Sequence, residues 1–287
     1  MGVTTEVKRK RPGLIPWGGD LSRLPWWVLV VLLVFTAGVY AILTNRHWEA
    51  AFEFALTGVQ LTLILSLSSF GIALVVGLLA GLGQLSRNIV FRNLSMLYVQ
   101  VIRGIPIIVQ LYFVAFVIMP VVVDAINNFG GTLQAIEPLT NFGISLANLE
   151  LRDIKMMYRA IGGLAVAYGA FEAEVFRAGI ESIERGQMEA ARSLGMSYIQ
   201  AMRHIILPQA IRVVLPPLGN DFISMLKDSS LAMVLAVREL TQVSQLHRAR
   251  TFRSWESMGT AALLYLMLTL SLSFLVKSME RRMAVEK

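Results

Sequence analysis

The apolar positions of this chain fall in long unbroken blocks. Residues 26–45 and 54–86 contain no charged residue, 104–123 none after Arg103, and 257–276 none. A block of about 20 apolar residues is the length an α-helix needs to cross the hydrocarbon of a bilayer. Two further blocks, 160–180 and 205–226, have the length but not the purity: the first holds Glu172, Glu174 and Arg177, the second Pro208, Arg212, Pro216, Pro217 and Asp221. Charges and prolines survive at membrane depth where they face protein or a wet cavity. These two helices are therefore expected to line the interior of a bundle, with the purer ones around them. The pattern predicts six spans and an all-α, polytopic membrane helical bundle. Gly71, Gly77, Gly81 and Gly83 in the second block suit close helix contact. Trp17, Trp26, Trp27 and Trp48 bracket the first block as interfacial anchors.

Composition agrees. The 287 residues are 55% hydrophobic and 16% charged, against about 25% charged in soluble domains. The net charge of +7 matters through its placement. Lys8, Arg9, Lys10, Arg11 and Arg23 precede the first block, and Lys277, Arg281, Arg282 and Lys287 follow the last. Six spans put both clusters on one side, with Arg87, Arg92, Arg185, Arg192 and Arg203, which the positive-inside rule makes cytoplasmic. The stretch 227–253 is basic and runs against this bias. The block 26–45 exceeds a signal-peptide core and no small-x-small cleavage pattern follows it, so it reads as a retained span. With no Cys, disulfides, thiol nucleophiles and Cys-ligated metals are excluded. His47, His204 and His247 lack metal-ligand spacing, and no basic module with interleaved aromatics points to nucleic acid. The Met residues read as core and lipid-facing filler. Asn127, Asn128, Gly130, Gly131 and Pro138 predict turns and short helices in an outer loop over 124–158.

The most informative stretch is polar. Residues 181–208 read ESIERGQMEAARSLGMSYIQAMRHIILP. Gly186 is expected to end one helix and 187–194 to form another. Glu189 falls in its first turn, where a carboxylate favours the positive end of the helix dipole. Ala190 and Ala191 let another surface approach the backbone. Gly195 permits a sharp left-handed turn. Tyr198, Met202 and Ile205 recur at helical spacing in a second short helix. The product is a helix–turn–helix elbow at a membrane face.

Glu189-Ala190-Ala191, then Gly195 after three intervening residues, then Ile205-x-Leu207-Pro208 after nine more, resembles the signature (EAA) loop of permease subunits of ATP-binding-cassette (ABC) importers. Thr57-Gly58 through Thr62-Leu63, Arg103-Gly104-Ile105-Pro106 with Gln110-Leu111, Glu174-Val175-Phe176-Arg177-Ala178-Gly179-Ile180, and Leu226-Lys227-Asp228-Ser229-Ser230-Leu231 resemble the polar amino-acid branch, which includes histidine and glutamine permeases. Phe171 departs from the Tyr of many relatives. The resemblance covers 54–282 and implies a five-span type I importer core, with the first span an added N-terminal helix. Its implied organisation is a basic cytoplasmic tail (1–25), an extra helix and outer loop (26–53), the permease domain (54–282) with a coupling loop at 182–204, and a short tail (283–287).

The resemblance implies a transport subunit of the bacterial cytoplasmic membrane, both termini cytoplasmic, that is not itself an enzyme. No Gly-x4-Gly-Lys-Ser/Thr phosphate loop occurs, so ATP and Mg are expected on a partner ABC ATPase dimer. Further expected partners are a second permease copy or a homologue, an extracytoplasmic amino-acid-binding protein and membrane lipid. Glu189, Ala190, Ala191 and Gly195 are the expected coupling residues. In the solute pathway stand Glu172, Arg103 and Phe171. A carboxylate there could hold an α-ammonium, with Glu172 one turn deeper than Glu174; Arg103 could bind a carboxylate or snorkel to the interface. Glu174 and Arg177, three apart, can pair along the helix. They join Arg212, Asp221, Pro208, Pro216 and Pro217 in helix packing or gating. Rival readings are an ion-coupled secondary transporter or channel, a receptor or scaffold without transport, and the same mechanism carrying another small polar solute.

Overall fold

The computed structural model describes residues 26–284, and every regular element among them is helical. The expected tail 1–25, with its basic run and Trp17, and Lys287 lie outside the described residues, as do the side chains of Arg185 and Arg282. The chain divides into two compact units, residues 1–49 and 50–287. The first contains α1 (Trp26–Thr44), an apolar helix that buries only Gly38.

The second unit is built from α2 (Arg46–Gln84), which begins just before the division, α3 (Ile89–Gly104), α4 (Ile107–Phe113), a π-helical turn (Val114–Ile118), α5 (Met119–Gln134) and α6 (Thr140–Ala147). There follow α7 (Met156–Glu181), α8 (Arg185–Ser193), α9 (Tyr198–Ala201), a second π turn (Met202–Ile206), α10 (Leu207–Asp228), a 3₁₀ segment (Ser229–Leu235), α11 (Leu240–Thr251) and α12 (Ser254–Ala284). Among the described residues, Trp26–Thr44, Arg46–Gln84, Ile107–Gln134 and Ser254–Arg281 are long and apolar enough to cross a membrane. The two impure helices, α7 and α10, have 26 and 22 residues.

The centre of the bundle is α7, whose small residues let neighbours reach its backbone. A Cβ at Gly163 would meet Leu111 of α4 at 2.8 Å, one at Gly169 would meet Val76 of α2 and the Tyr98 hydroxyl of α3 at 2.8 Å, and one at Gly179 would meet Val214 of α10 at 2.1 Å. From the other side, a Cβ at Gly77 of α2 would lie 2.4 Å from that of Glu172. Such approach is the main source of helix cohesion where lipid tails compete equally for apolar side chains. Leu65, Leu111, Ala115, Ala160, Leu164, Ala232 and Leu235 fill the space in one core cluster.

Several boundaries differ from the sequence reading. Residues 89–104, expected as a connection on the cytoplasmic side, form α3, capped by Asn88 Oδ1 accepting the Val90 N–H at 2.9 Å. Tyr98 ties α3 to α7 by donating to the Val166 carbonyl at 2.7 Å. The third span is therefore a broken helix: α3 and α4 part at Gly104–Pro106, where Pro106 supplies no N–H. The buried Gln110 amide meets the exposed acceptors, donating to the Ile102 and Ile105 carbonyls at 2.7 Å each. Of the outer loop 124–158, the first part continues as α5 and pairs with α6. Gly130 and Gly143 sit so close that a Cβ on either would meet backbone within 2.8 Å. Likewise 227–256 is no open loop. Its 3₁₀ segment descends into the core, as irregular backbone can at membrane depth when protein covers it. Arg159, just past the expected outer loop, is buried and donates to the Ile154, Ala115 and Leu151 carbonyls.

On the far side of the bundle α2, α11 and α12 are held by a buried carboxylate. Glu239 accepts the Thr241 and Gln242 N–H groups at 2.8 and 2.7 Å and the Tyr265 hydroxyl at 2.9 Å. The Leu240 N–H donates to Thr62 Oγ1 at 3.0 Å.

Two substitutions test this packing by thermal unfolding of the purified protein. Gly77→Ala should destabilise by roughly 1–3 kcal/mol, the scale of overpacking, because Glu172 Cβ cannot swing aside; Gly71→Ala, with nothing within 4 Å, should not. Gln110→Leu should cost roughly 1–3 kcal/mol, because it leaves the Ile105 carbonyl without its donor and the Ile102 carbonyl with only the Ile105 N–H at 3.3 Å.

Candidate coupling elbow and solute cavity

The elbow begins where α7 ends. The chain turns at Ser182–Glu184 and α8 starts at Arg185, so Gly186, expected to end the preceding helix, lies inside the next one. The end of α8 is closed by a pair of bonds around Gly195, which has φ +85. The Met196 N–H reaches the Ala191 carbonyl at 3.2 Å and the Gly195 N–H reaches that of Arg192 at 3.0 Å. This is the Schellman arrangement, and its left-handed residue is the reason a glycine stands there. Two residues later Ser197 and Gln200 form a reciprocal capping box that starts α9. The helix then passes through the π turn into α10, where Pro208 withholds an N–H and Gln209 Nε2 donates to the Ile205 carbonyl at 2.8 Å.

The elbow is closed by local hydrogen bonds at each corner. Ala191 is buried, and Met188 and Met202 are half-buried. Glu189, Ala190 and Gly195 face outward. So do two large apolar side chains, Leu194 and Ile199, at 85% and 75% exposure.

Of the residues expected along the solute pathway, the structure gathers some and separates one. A cavity of about 490 Å³ is lined by Arg103, Glu174, Val175, Ala178, Gly179, Ser182, Val213 and Pro217. The Arg103 guanidinium lies 5.6 Å above the centre of the Phe171 ring, so Phe171 supports the cation at the cavity wall. Glu174 bonds Arg177 at 2.7 Å, and Arg177 bonds Glu181 at 2.6 Å. The intrahelical pairing and the cavity lining therefore involve the same carboxylate. Pro216 and Pro217 withhold the N–H groups that would meet the Arg212 and Val213 carbonyls. Asn220 Nδ2 donates to the Pro216 carbonyl at 3.1 Å.

Glu172 does not line this cavity. It faces α2, is fully buried, and neither carboxylate oxygen has a hydrogen-bond partner. The deeper carboxylate, expected to meet solute, is thus sealed between helices, and Glu174 takes the open position. One turn along, Tyr168 donates to Asp228 at 2.8 Å and ties α7 to the end of α10. Asp221 is half-buried on α10, and Arg212 lies on that helix's exposed face. Sequence reading noted Gln110 only as part of a resemblance, without its role at the helix break, and missed Tyr98. The combination of Gly104, Pro106 and a buried amide four residues on was the available signal for the first; nothing local marks the second. Outside the spans, burial holds the His247 imidazole below its ordinary range, and its Nδ1 lies 2.8 Å from Ser257 Oγ.

Comparison with known proteins matches this arrangement. Residues 73–285 fit the family described as "binding-protein-dependent transport system inner membrane component". The glutamine transport system permease protein GlnP of Escherichia coli (strain K12) is 34% identical over 241 residues, 83% of this chain and 98% of its own length. The probable glutamine ABC transporter permease protein GlnM of Bacillus subtilis (strain 168) is 35% identical, covering 81% of this chain and 94% of its own. Among solved structures, an amino acid ABC transporter crystallised with histidines superposes with a TM-score of 0.64 at 33% identity, covering 80% of this chain and 94% of that one. The inward-facing MetNI methionine ABC transporter shares the fold at 19% identity, with a TM-score of 0.61 over 82% of this chain and 98% of its own. The fold is thus that of known transporters, and the chain is a member of the binding-protein-dependent transport system inner membrane components, the permease subunits of ABC importers.

Proposed function

We propose that this permease passes a polar amino acid inward between itself and a second permease, moved by an ABC ATPase dimer that grips the elbow of α8 and α9. The observation that carries the reading is the exposure of Leu194 and Ile199 on a locally rigid corner beside Glu189, Ala190 and Gly195. Large apolar side chains held out of a capped turn are suited to a groove on another protein. ATP and Mg sit on that partner. Its closure shifts the bundle only so far as it contacts the two bundle states differently. In this reading the elbow and both termini face the cytoplasm, and a solute-binding protein docks at the opposite face, around α6 and the α11–α12 corner with its exposed Phe252 and Trp255.

The cavity chemistry supports an amino acid as cargo. It presents a guanidinium, Arg103, and a carboxylate, Glu174, in one space, which complements a zwitterion: the α-carboxylate toward Arg103 and the α-ammonium toward Glu174. The Val213 carbonyl, deprived of its usual donor by Pro217, is a further acceptor for the ammonium. The relatives' names, glutamine and amino-acid permeases, agree with this class.

Because the chain has no Cys, single cysteines report cleanly. Leu194→Cys should cross-link to the ATPase in membranes, and a cysteine at Phe252 should not; exposure of the elbow to an external thiol reagent instead would overturn the orientation. Glu189→Lys and Gly195→Asp should abolish substrate-stimulated ATP hydrolysis and uptake while leaving the melting temperature of the bundle within a few degrees, since the left-handed strain at Gly195 is local and about 1–2 kcal/mol. Arg103→Gln should raise the half-saturating solute concentration about tenfold or more, the scale of one lost charge-assisted hydrogen bond, with basal ATP hydrolysis retained.

A further inference from the structure

A second cavity, larger than the solute cavity, lies behind the elbow. Its volume is about 910 Å³, within the usual range of ligand sites. Leu82, Leu85, Ser86 and Arg87 line it from the end of α2 and Ile180 from the end of α7, with Met188, Arg192, Tyr198 and Met202 on the elbow's inward side. The Leu194 and Ile199 side chains that face a partner are not among these residues.

Its lining is amphiphilic. Leu82, Leu85 and Ile180 at the ends of two long helices, with Met188 and Met202 of the elbow, supply its apolar floor. Two guanidiniums share the lining, and no ion pair to a carboxylate involves Arg87 or Arg192 among the described residues. The single hydrogen bond recorded for the Arg192 side chain is a 3.4 Å contact to the Met196 carbonyl. Ser86 Oγ accepts the Asn88 N–H at 3.2 Å, which leaves its own proton free to donate. Two unpaired cations and a hydroxyl donor over an apolar floor match a phosphate diester attached to acyl chains. A soluble anion would leave the floor wet, and a neutral lipid would leave both guanidiniums without a counter-charge.

We propose that this cavity holds the headgroup of one anionic phospholipid of the inner leaflet, its phosphate between Arg87 and Arg192 and its acyl chains along Leu82, Leu85 and Ile180. The lipid would join the end of α2 to the back of the elbow, so that the surface gripped by the ATPase is braced against the bundle through a lipid as well as through α8 and α9. The assignment rests on the reading above only in placing the elbow at the cytoplasmic face.

The test uses the full permease assembled with its ATPase, exchanged into mixtures of phosphatidylglycerol and phosphatidylcholine with identical acyl chains, with retained lipid counted by native mass spectrometry. Wild type should retain one phosphatidylglycerol per permease with a preference of about tenfold or more, the scale of two basic side chains facing one anionic headgroup. Arg87→Gln/Arg192→Gln should bring the preference close to parity, and Arg248→Gln/Arg250→Gln on α11 should leave it unchanged. Absence of a headgroup preference in wild type, or one that survives the Arg87/Arg192 pair, would overturn the proposal. So would full displacement by millimolar glycerol phosphate, which would make the site one for a free anion, or a Tyr198→Cys cross-link to the ATPase, which would make the occupant protein. Lipid preference in the uncoupled Glu189→Lys permease separates the two readings: it persists if the lipid site is real, whatever becomes of coupling.

Discussion

Close backbone approach along α7 is the constraint from which the rest of the bundle follows. In a bilayer the apolar faces of helices gain little by leaving lipid for one another, so cohesion comes from contact that lipid cannot match. Ala160, Gly163, Ala167, Gly169, Ala170 and Ala173 leave α7 narrow, and α2, α3, α4 and α10 each reach it. Where a glycine on one helix meets a Cβ on another, as Gly77 meets Glu172, the pair fixes both the rotation and the depth of the two helices. Movement between inward- and outward-open states must then be of packed groups of helices, since individual ones cannot rotate without opening a gap or closing a clash.

The polar groups inside this bundle divide by how they are satisfied. Arg159 and Gln110 saturate carbonyls exposed by helix ends and breaks, and Glu239 does the same for N–H groups at the start of α11. These groups hold the shape. At the C-terminal end of α7, Glu174, Arg177 and Glu181 neutralise one another along the helix, yet Glu174 still opens on the cavity that Arg103 shares. Prolines in α10 withhold donors on the same side. The polar atoms that open on the cavity are thus found where the helical hydrogen-bond ladder is interrupted or the helix surface is charged, whereas Glu172 is sealed between helices with neither oxygen partnered.

Little in the elbow can yield, which is what the proposed coupling role requires of it. Gly195 in its left-handed conformation and the Ser197–Gln200 capping box fix the angle between α8 and α9, and α9 continues through the π turn into α10. Under the proposed coupling, force applied at Leu194 and Ile199 would pass into α10, which packs on α7 at Gly179 and borders the cavity with Val213 and Pro217.

Much of this was legible in the sequence because its signals are local. Uncharged runs of membrane length marked α1, α2, the stretch from α4 through the π turn into the start of α5, and α12, and Gly195 with its flanking polar residues announced the turn of the elbow. The charged helix α7 is the one its neighbours pack around, whereas the proline-bearing α10 buries one side and leaves Arg212 on its exposed face. Local signals stopped short where partners are distant in the chain. That Ile89–Gly104 is a helix packed on α7, that 229–235 enters the core, and that Glu174, and not Glu172, opens on the cavity depend on which neighbour covers each face. Two carboxylates two residues apart on one helix point in directions about 200° apart, and composition is blind to which direction meets Gly77 and which meets open space. The sequence by itself determined the class of molecule and the shape of its handle; only tertiary packing decided which of its charges are sealed and which are offered to a solute.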